Sequence, residues 1–302
     1  MKVGVARTRI TPPSDVPLGG TGLPWSRVSD HLSATALVLA EADGKALAAL
    51  ASVDVAAADT SLLQAVQQAM APLSLPVYVG VTGSPRSPSL LQADAHYFQH
   101  VARQLATAIV LARRSVRAAS LRVGSAMLAG WTQHREAPQR PVDQRLVLWR
   151  FDDEGRRPLA AVLTFAAPAD VQQVLAPQEI SRDYPGQVTD LLERELPGVT
   201  ALFLPAAAQD SVFRSDCYTP ERCHTPGVAI AQCALQCWRR AQLVDSPPGR
   251  CSVSHAPFSL EWPLTALQAL EEATGESIGR LREQRVQELL LVRRLSESNQ
   301  GK

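Results

Sequence analysis

The turn after the predicted strand VYVGV, at residues 77–81, has the position of an active-site loop but lacks the usual side chains. Loops at strand ends carry much of the chemistry in α/β proteins. Here the turn reads TGSPRSPS from 82 to 89, without histidine, cysteine or carboxylate. Arg86 is its one charged residue. A guanidinium in this place can hold a carboxylate or a phosphate, or it can form an ordinary salt bridge.

A second group of polar side chains lies in ISRDYPG, residues 180–186, where three consecutive residues are suited to binding. Asp183 among them also fits the N-cap of the helix that follows, with a proline in the first turn. His134, in WTQHREAP, can line a pocket or be a polar loop residue. The predicted substrate-binding residues are Arg86, His134, Arg182, Asp183 and Tyr184.

Two pairs of residues have donor atoms for a metal ion. His96 and His100 are four apart on a predicted helix and share a face, while Cys223 and His224 are adjacent in a loop. Neither pair has a third ligand at the spacing of compact zinc sites. A solvated helix face and an unreactive loop thiol are therefore the simpler interpretations, and we predict no metal and no cofactor.

The elements that must position these residues predict a mixed α/β fold, with a mixed β-sheet core that contains hairpins and is covered by helices. Hairpins are expected at the Asp43-Gly44 turn and at the turn 153–155. Helices are predicted over 60–70, 92–119, 183–196 and 227–243, and strands over 2–10, 32–41, 46–54, 77–81, 121–131 and 200–205. We expect a single domain over residues 1–302, with a strand and two helices in 246–302.

Composition restricts the class of partner. The chain has 302 residues and a net charge of +1, so no general attraction to nucleic acid is expected. No apolar run approaches the roughly 20 residues of a membrane span, and the N-terminus does not resemble a signal peptide. The five cysteines are odd in number and read as free thiols. We therefore predict a cytoplasmic protein without a membrane span.

Several stretches occur in the same order in one protein family. The opening VGVARTRITPP, the two hairpins and the segment from ISRDYPG to ALFLPAAAQD together resemble the N-terminal catalytic domain of neutral (non-lysosomal) ceramidases. The most specific parts are SRDYPG and its spacing to ALFLPAAAQD. The resemblance covers residues 3–245, and the C-terminal part of the family has no counterpart in the sequence.

The resemblance implies a zinc amidase scaffold without its zinc ligands. Two histidine positions of the family read Gly83 and Pro85 here, and a third reads Pro168. None of these side chains can donate to zinc. If Asp210 matches the aspartate of the family's serine motif, Val212 stands at the serine. If the register slips by one, Ser211 takes that position.

The resemblance leads to two hypotheses of function. The first is a catalytically degenerate ceramidase-like protein, which acts as a binding or assembly subunit in a homo-oligomer or with an active relative. The alternative is a metal-free enzyme of a bacterial biosynthetic pathway, with Asp210 and Ser211 as catalytic residues and an amide-like or acyl substrate. A weaker third hypothesis is a zinc enzyme with new ligands.

Overall fold

The computed structural model describes residues 1–13, 15–71, 75–91, 93–175 and 178–245. The strand and helices predicted in 246–302 lie outside these residues. The strands are β1 (Lys2–Arg9), β2 (Arg27–Val28), β3 (Ser33–Ala40), β4 (Ala46–Val53), β5 (Val77–Val81), β6 (Arg117–Met127), β7 (Thr132–His134), β8 (Arg145–Asp153), β9 (Pro158–Thr164), β10 (Glu179–Ile180), β11 (Thr200–Phe203), β12 (Ser211–Phe213) and β13 (Gln242–Leu243). The helices are α1 (Thr60–Ala69), α2 (Ala95–Arg114), α3 (Asp183–Glu195) and α4 (Thr225–Arg240), and a 3-10 turn spans Ser215–Cys217.

The predicted mixed sheet is confirmed. Within the described residues, the main sheet has nine strands in the order β11-β9-β8-β6-β1-β3-β4-β5, with β13 paired to β6. The pairs β4–β5 and β9–β11 are parallel, and both predicted hairpins, β3–β4 and β8–β9, are antiparallel. Gly44 and Arg156 supply the positive φ angles of the two hairpin turns, 93° and 59°.

Two helix ends differ from the prediction. The helix predicted over 92–119 ends at Arg114, because Arg117 already pairs with β1 and the following residues pair with β8. The helix predicted over 227–243 is Thr225–Arg240, since Gln242 and Leu243 pair with β6 instead. In both places, hydrogen bonding to a sheet overrides the local helical preference.

The sheet folds over so that its two halves face each other. Along β3, Val38 packs on Leu105 of α2, whereas Leu37 points to the opposite face, as the two-residue period of a strand requires. Leu37 shares a buried cluster with Phe151 of β8 and Leu202 of β11, which come from the other half of the sheet. The layers are therefore helix, sheet, sheet, helix.

The fold brings the carboxyl ends of four strands together. Ser52 of β4 donates a hydrogen bond to the carbonyl of Phe203 at the end of β11, with the atoms 2.7 Å apart. Because β4–β5 and β9–β11 are parallel pairs, the loops that follow these strands emerge on one side of the molecule. No helix in the described part of the chain has the length and apolar character of a membrane span.

Candidate functional site

Three loops meet at the carboxyl ends of these strands. They are residues 82–89 after β5, residues 165–172 after β9, and the segment 180–184, which runs from the end of β10 into the first turn of α3. The amide of Ser181 donates to the carbonyl of Arg86 (3.1 Å), and the hydroxyl of Ser84 donates to the carbonyl of Ser181 (2.8 Å). The stretches chosen from the sequence as candidate sites are therefore neighbours in the structure.

Arg86 lies inside this cluster of loops and binds three separate segments. Its side chain is only 3% exposed. Nε donates to the carbonyl of Glu179 (3.0 Å), Nη1 to the carbonyl of Gln172 (3.3 Å) and Nη2 to the hydroxyl of Ser29 (2.9 Å). Burial lowers the pKa of this guanidinium, and nearby carboxylates, Asp183 first among them, oppose that effect. Its donors are occupied by the protein itself.

Asp183 has a strained backbone at the start of α3. Its φ angle is +57°, which is uncommon for a residue other than glycine. The helix begins at Asp183, so the N-cap is Arg182, one residue before the predicted cap. The Asp183 carboxylate is buried and accepts from the amides of Tyr184 (2.7 Å) and Gln172 (2.9 Å). Burial raises its pKa to about 7, although these amides lower it.

The side chains on either side of Asp183 are buried and engaged. Arg182 donates to Asp30 (2.9 Å) and to Asp190 (2.6 Å). Burial alone lowers the pKa of Arg182, but the surrounding carboxylates raise it above its ordinary value. The hydroxyl of Tyr184 donates to the carbonyl of Ala167 (2.8 Å), and its ring packs edge-on against two phenylalanines. Both residues thus hold the loops in place.

The predicted catalytic residues lie on or next to β12, which pairs with β7. Ser211 stands opposite His134 in this pair. The Ser211 side chain is fully buried, and its hydroxyl donates to the carbonyl of Ala166 (2.7 Å). Asp210 is exposed, and its carbonyl accepts from the amide of Arg135. The structure brings Ser211 and His134 together, and a catalytic role for Asp210 and Ser211 stays a prediction.

The ring of His134 has a defined orientation. Its Nδ1 accepts hydrogen bonds from the amides of Glu136 (3.2 Å) and Ala137 (3.1 Å). A nitrogen that accepts from amides carries no proton, so the proton of the neutral ring is on Nε2. Nε2 is therefore the atom through which a neutral His134 could donate to a bound molecule.

Sequence reasoning missed one pair of residues beside this site. The hydroxyl of Tyr218 donates to the carboxylate of Asp170 (2.9 Å). Burial raises the pKa of Asp170, and the Tyr218 hydroxyl and the charge of Arg135 partly oppose the rise. The signal was present in the sequence, because Asp170 is two residues beyond Pro168, a position already compared with a metal ligand.

The residues at the three compared histidine positions do not fit a zinc ion. Gly83 has a φ angle of +80°, and a side chain built there would meet open space. Neither it nor Pro85 or Pro168 carries a donor atom. In the described part of the chain, no three histidine, cysteine, aspartate or glutamate side chains are grouped to hold a metal ion.

One of the other candidate donors, Cys223, lies close enough to this site for its charge to interact with Arg86 and Asp183. His100 stacks on Tyr97 of its own helix, with ring centroids 6.3 Å apart, and His96 is exposed. Cys223 is buried and directs its thiol at the carbonyl of Pro220. The structure gives neither pair the third ligand that zinc needs within the described residues.

No protein-family model and no curated protein sequence matches the chain. Its fold matches solved structures of ceramidases. The crystal structure of neutral ceramidase from Pseudomonas aeruginosa superposes with a TM-score of 0.70 at 17% identity, covering 80% of this chain and 45% of that chain.

A second ceramidase structure, complexed with C2, gives a TM-score of 0.71 at 17% identity and covers 80% of this chain and 44% of that chain. The chain thus spans less than half the length of these ceramidases, and at such low identity the likeness is one of fold. The chain therefore has the neutral ceramidase fold.

Proposed function

We propose that this protein is a ceramidase-fold subunit that has lost the zinc site of the family and acts in binding or assembly. The observation that carries the proposal is the position of Arg86. A buried guanidinium joins Ser29, Gln172 and Glu179 in the loop cluster where the family's metal would be held. The loops are thus tied together by a side chain of the protein.

An assembly role is supported by the edge of the main sheet. Among the described strands, β5 is the last in the order and has one neighbour, β4. Tyr78 on β5 is 52% exposed. An unpaired edge is a ready surface for a strand of another chain, so a second copy or an active relative is the partner that this proposal implies.

The free thiols support a cytoplasmic location. Four cysteines are unpaired and buried in the described residues: Cys217, Cys223, Cys233 and Cys237. Unpaired thiols are typical of a reducing compartment.

Metal analysis with an activity assay tests the zinc-free proposal. The full chain is purified with and without added zinc, and its metal content and hydrolysis of a short-chain ceramide amide are measured, with a neutral ceramidase as positive control. We expect no stoichiometric zinc and no hydrolysis. Stoichiometric zinc with hydrolysis that a chelator abolishes would overturn the proposal.

Sedimentation tests assembly with a second copy. We expect association that depends on concentration and that Tyr78→Glu weakens, because the new charge lies on the free edge. Leu111→Glu is the matched control, since Leu111 is also an exposed apolar residue (43%) but lies on α2. A chain that stays monomeric at every concentration contradicts self-association.

A second candidate function, metal-free catalysis on an amide-like or acyl substrate, is favoured by one observation. Asp170 is a carboxyl with a raised pKa that is hydrogen-bonded to Tyr218, and it lies in the same loop as the Ala166 carbonyl that Ser211 binds. A carboxyl of this kind is suited to general acid catalysis. If the amide assay without zinc gives turnover that Asp170→Asn abolishes, this function replaces the first.

A further inference from the structure

A groove of about 420 Å³ lies on the face of β6 and β8, near the C-terminal end of α4. It is distinct from the loop cluster, because its lining includes Arg122, Arg150 and Asp152 and no residue of the loops around Arg86. The volume falls within the roughly 300–1,000 Å³ of small-molecule sites. Its lining contains three arginines, Arg122, Arg150 and Arg156, and three carboxylates, Asp152, Asp153 and Glu154.

Two of these arginines are directly opposite each other on the paired strands. The register places Arg122 of β6 against Arg150 of β8, and Ser120 against Asp152, so all four side chains are on one face. Like charges in such a pair repel. The carboxylate between them, Asp152, is buried and lies 2.7 Å from Nε of Arg150 and 3.7 Å from Nε of Arg122. The Asp152 carboxylate therefore neutralises Arg150 more effectively than Arg122.

Arg150 is fully engaged. Its Nε donates to both oxygens of Asp152 (2.7 and 3.0 Å), and its Nη1 donates to the carbonyl of Trp238 (3.0 Å). Its guanidinium also lies 4.6 Å from the centre of the Trp238 ring, a cation–π contact. These contacts fix the position of the Arg150 side chain in the lining of the groove.

Arg122 and Arg156 have free donors. Arg122 is 32% exposed, and its side chain donates no hydrogen bond within the described residues. Arg156 is in the β8–β9 turn with a φ angle of +59°, and in the same part of the chain its guanidinium has no partner. Asp153 does not neutralise them, because Arg157 binds its carboxylate at 2.9 Å. Glu154 is the exposed carboxylate of the groove.

We propose that this groove binds a small oxyanion, a phosphate or a carboxylate group of a metabolite, through Arg122 and Arg156. Planar guanidinium groups with unused donors match the paired oxygens of such groups. The ion pair with the buried Asp152 (3.7 Å) restricts the Arg122 side chain beside the groove before a ligand arrives. The proposal is independent of the function assigned to the loop cluster.

Calorimetric titration of the full chain with inorganic phosphate, acetate and chloride at matched ionic strength tests the proposal. We expect saturable binding of phosphate or acetate, and the better of the two identifies the group. Arg122→Met should weaken binding about 10-fold or more, as the loss of a charge-assisted hydrogen bond implies. Glu154→Gln should strengthen it, because a repelling charge is removed.

Arg103→Met is the matched control, since Arg103 is an exposed arginine on α2, away from the groove lining. It should bind as the wild type does. Circular dichroism verifies that each variant is folded. The proposal is overturned if neither oxyanion binds saturably, if chloride binds equally well, or if folded Arg122→Met binds like the wild type.

Discussion

Replacing Arg86 with methionine tests whether the guanidinium holds the loop cluster together. Methionine keeps most of the aliphatic length and removes the donors to Ser29, Gln172 and Glu179. Three hydrogen bonds at about 1 to 1.5 kcal/mol each give a loss of about 3 to 4.5 kcal/mol. Burial of the charge destabilises the wild type, as the lowered pKa of Arg86 indicates, and this offsets part of the stabilisation by the three hydrogen bonds. We therefore expect Arg86→Met to lower the free energy of unfolding by about 3 kcal/mol, the lower end of this range.

Urea denaturation followed by tryptophan fluorescence measures this loss. Arg27→Met is the matched control, because Arg27 binds the carboxylate of Glu179 at 2.8 Å but is 73% exposed, whereas Arg86 binds the carbonyl of the same residue. An exposed pair contributes at most about 1 kcal/mol. If Arg86→Met is within about 1 kcal/mol of the wild type, or no worse than Arg27→Met, the guanidinium is not a structural tie. The proposal built on it then fails.

Three further predictions concern the substitution of single residues. Ser211→Ala should lower the free energy of unfolding by about 1 to 3 kcal/mol, because the Ala166 carbonyl loses a buried partner. Thr132→Val should be neutral or stabilising, since the buried Thr132 hydroxyl has no partner among the described residues; equal urea midpoints for the two variants would contradict this contrast. The pKa of Asp183 is raised to about 7, so protonation of this carboxyl stabilises the native state. This contribution to the free energy of unfolding is fully present below about pH 4 and is lost as the pH rises through about 7. Asp183→Asn, which tolerates the left-handed backbone, should flatten the fall of the urea midpoint over this range, and an unchanged slope would argue against it. Gly83→Ala should cost about 1 kcal/mol from its positive φ alone. Gly4→Ala should cost more because its Cβ would lie 1.9 Å from the Ala112 carbonyl; the reverse order in thermal denaturation would refute the argument.

Local sequence patterns were sufficient to predict most strands of the main sheet. Alternating residues in β1 and β5 predicted these strands, and the Asp-Gly turn predicted the first hairpin, because the period of two and the turn chemistry act over a few residues. The end of α2 was placed too late. The residues after Arg114 have no strong helix breaker, and only pairing with β1 and β8 makes them a strand.

The candidate site was located better than its chemistry was assigned. Arg86 and Asp183 were both predicted to bind substrate, and their loops are neighbours in the structure. The engagement of Arg86, the burial of the Ser211 hydroxyl and the contact of Asp170 with Tyr218 depend on neighbours more than 40 residues away in the chain. A local sequence pattern does not specify contacts between residues so far apart in the chain.

The amino-acid sequence by itself determined which donor atoms the loops can offer, because glycine and proline at positions 83, 85 and 168 have none in any conformation. Only the tertiary structure decided what the remaining polar groups do. From the sequence, Arg86 can bind an anion or form a salt bridge, whereas folding surrounds it with a hydroxyl and two carbonyls. A buried charge must have its hydrogen bonds satisfied, and which distant groups satisfy them is settled by packing.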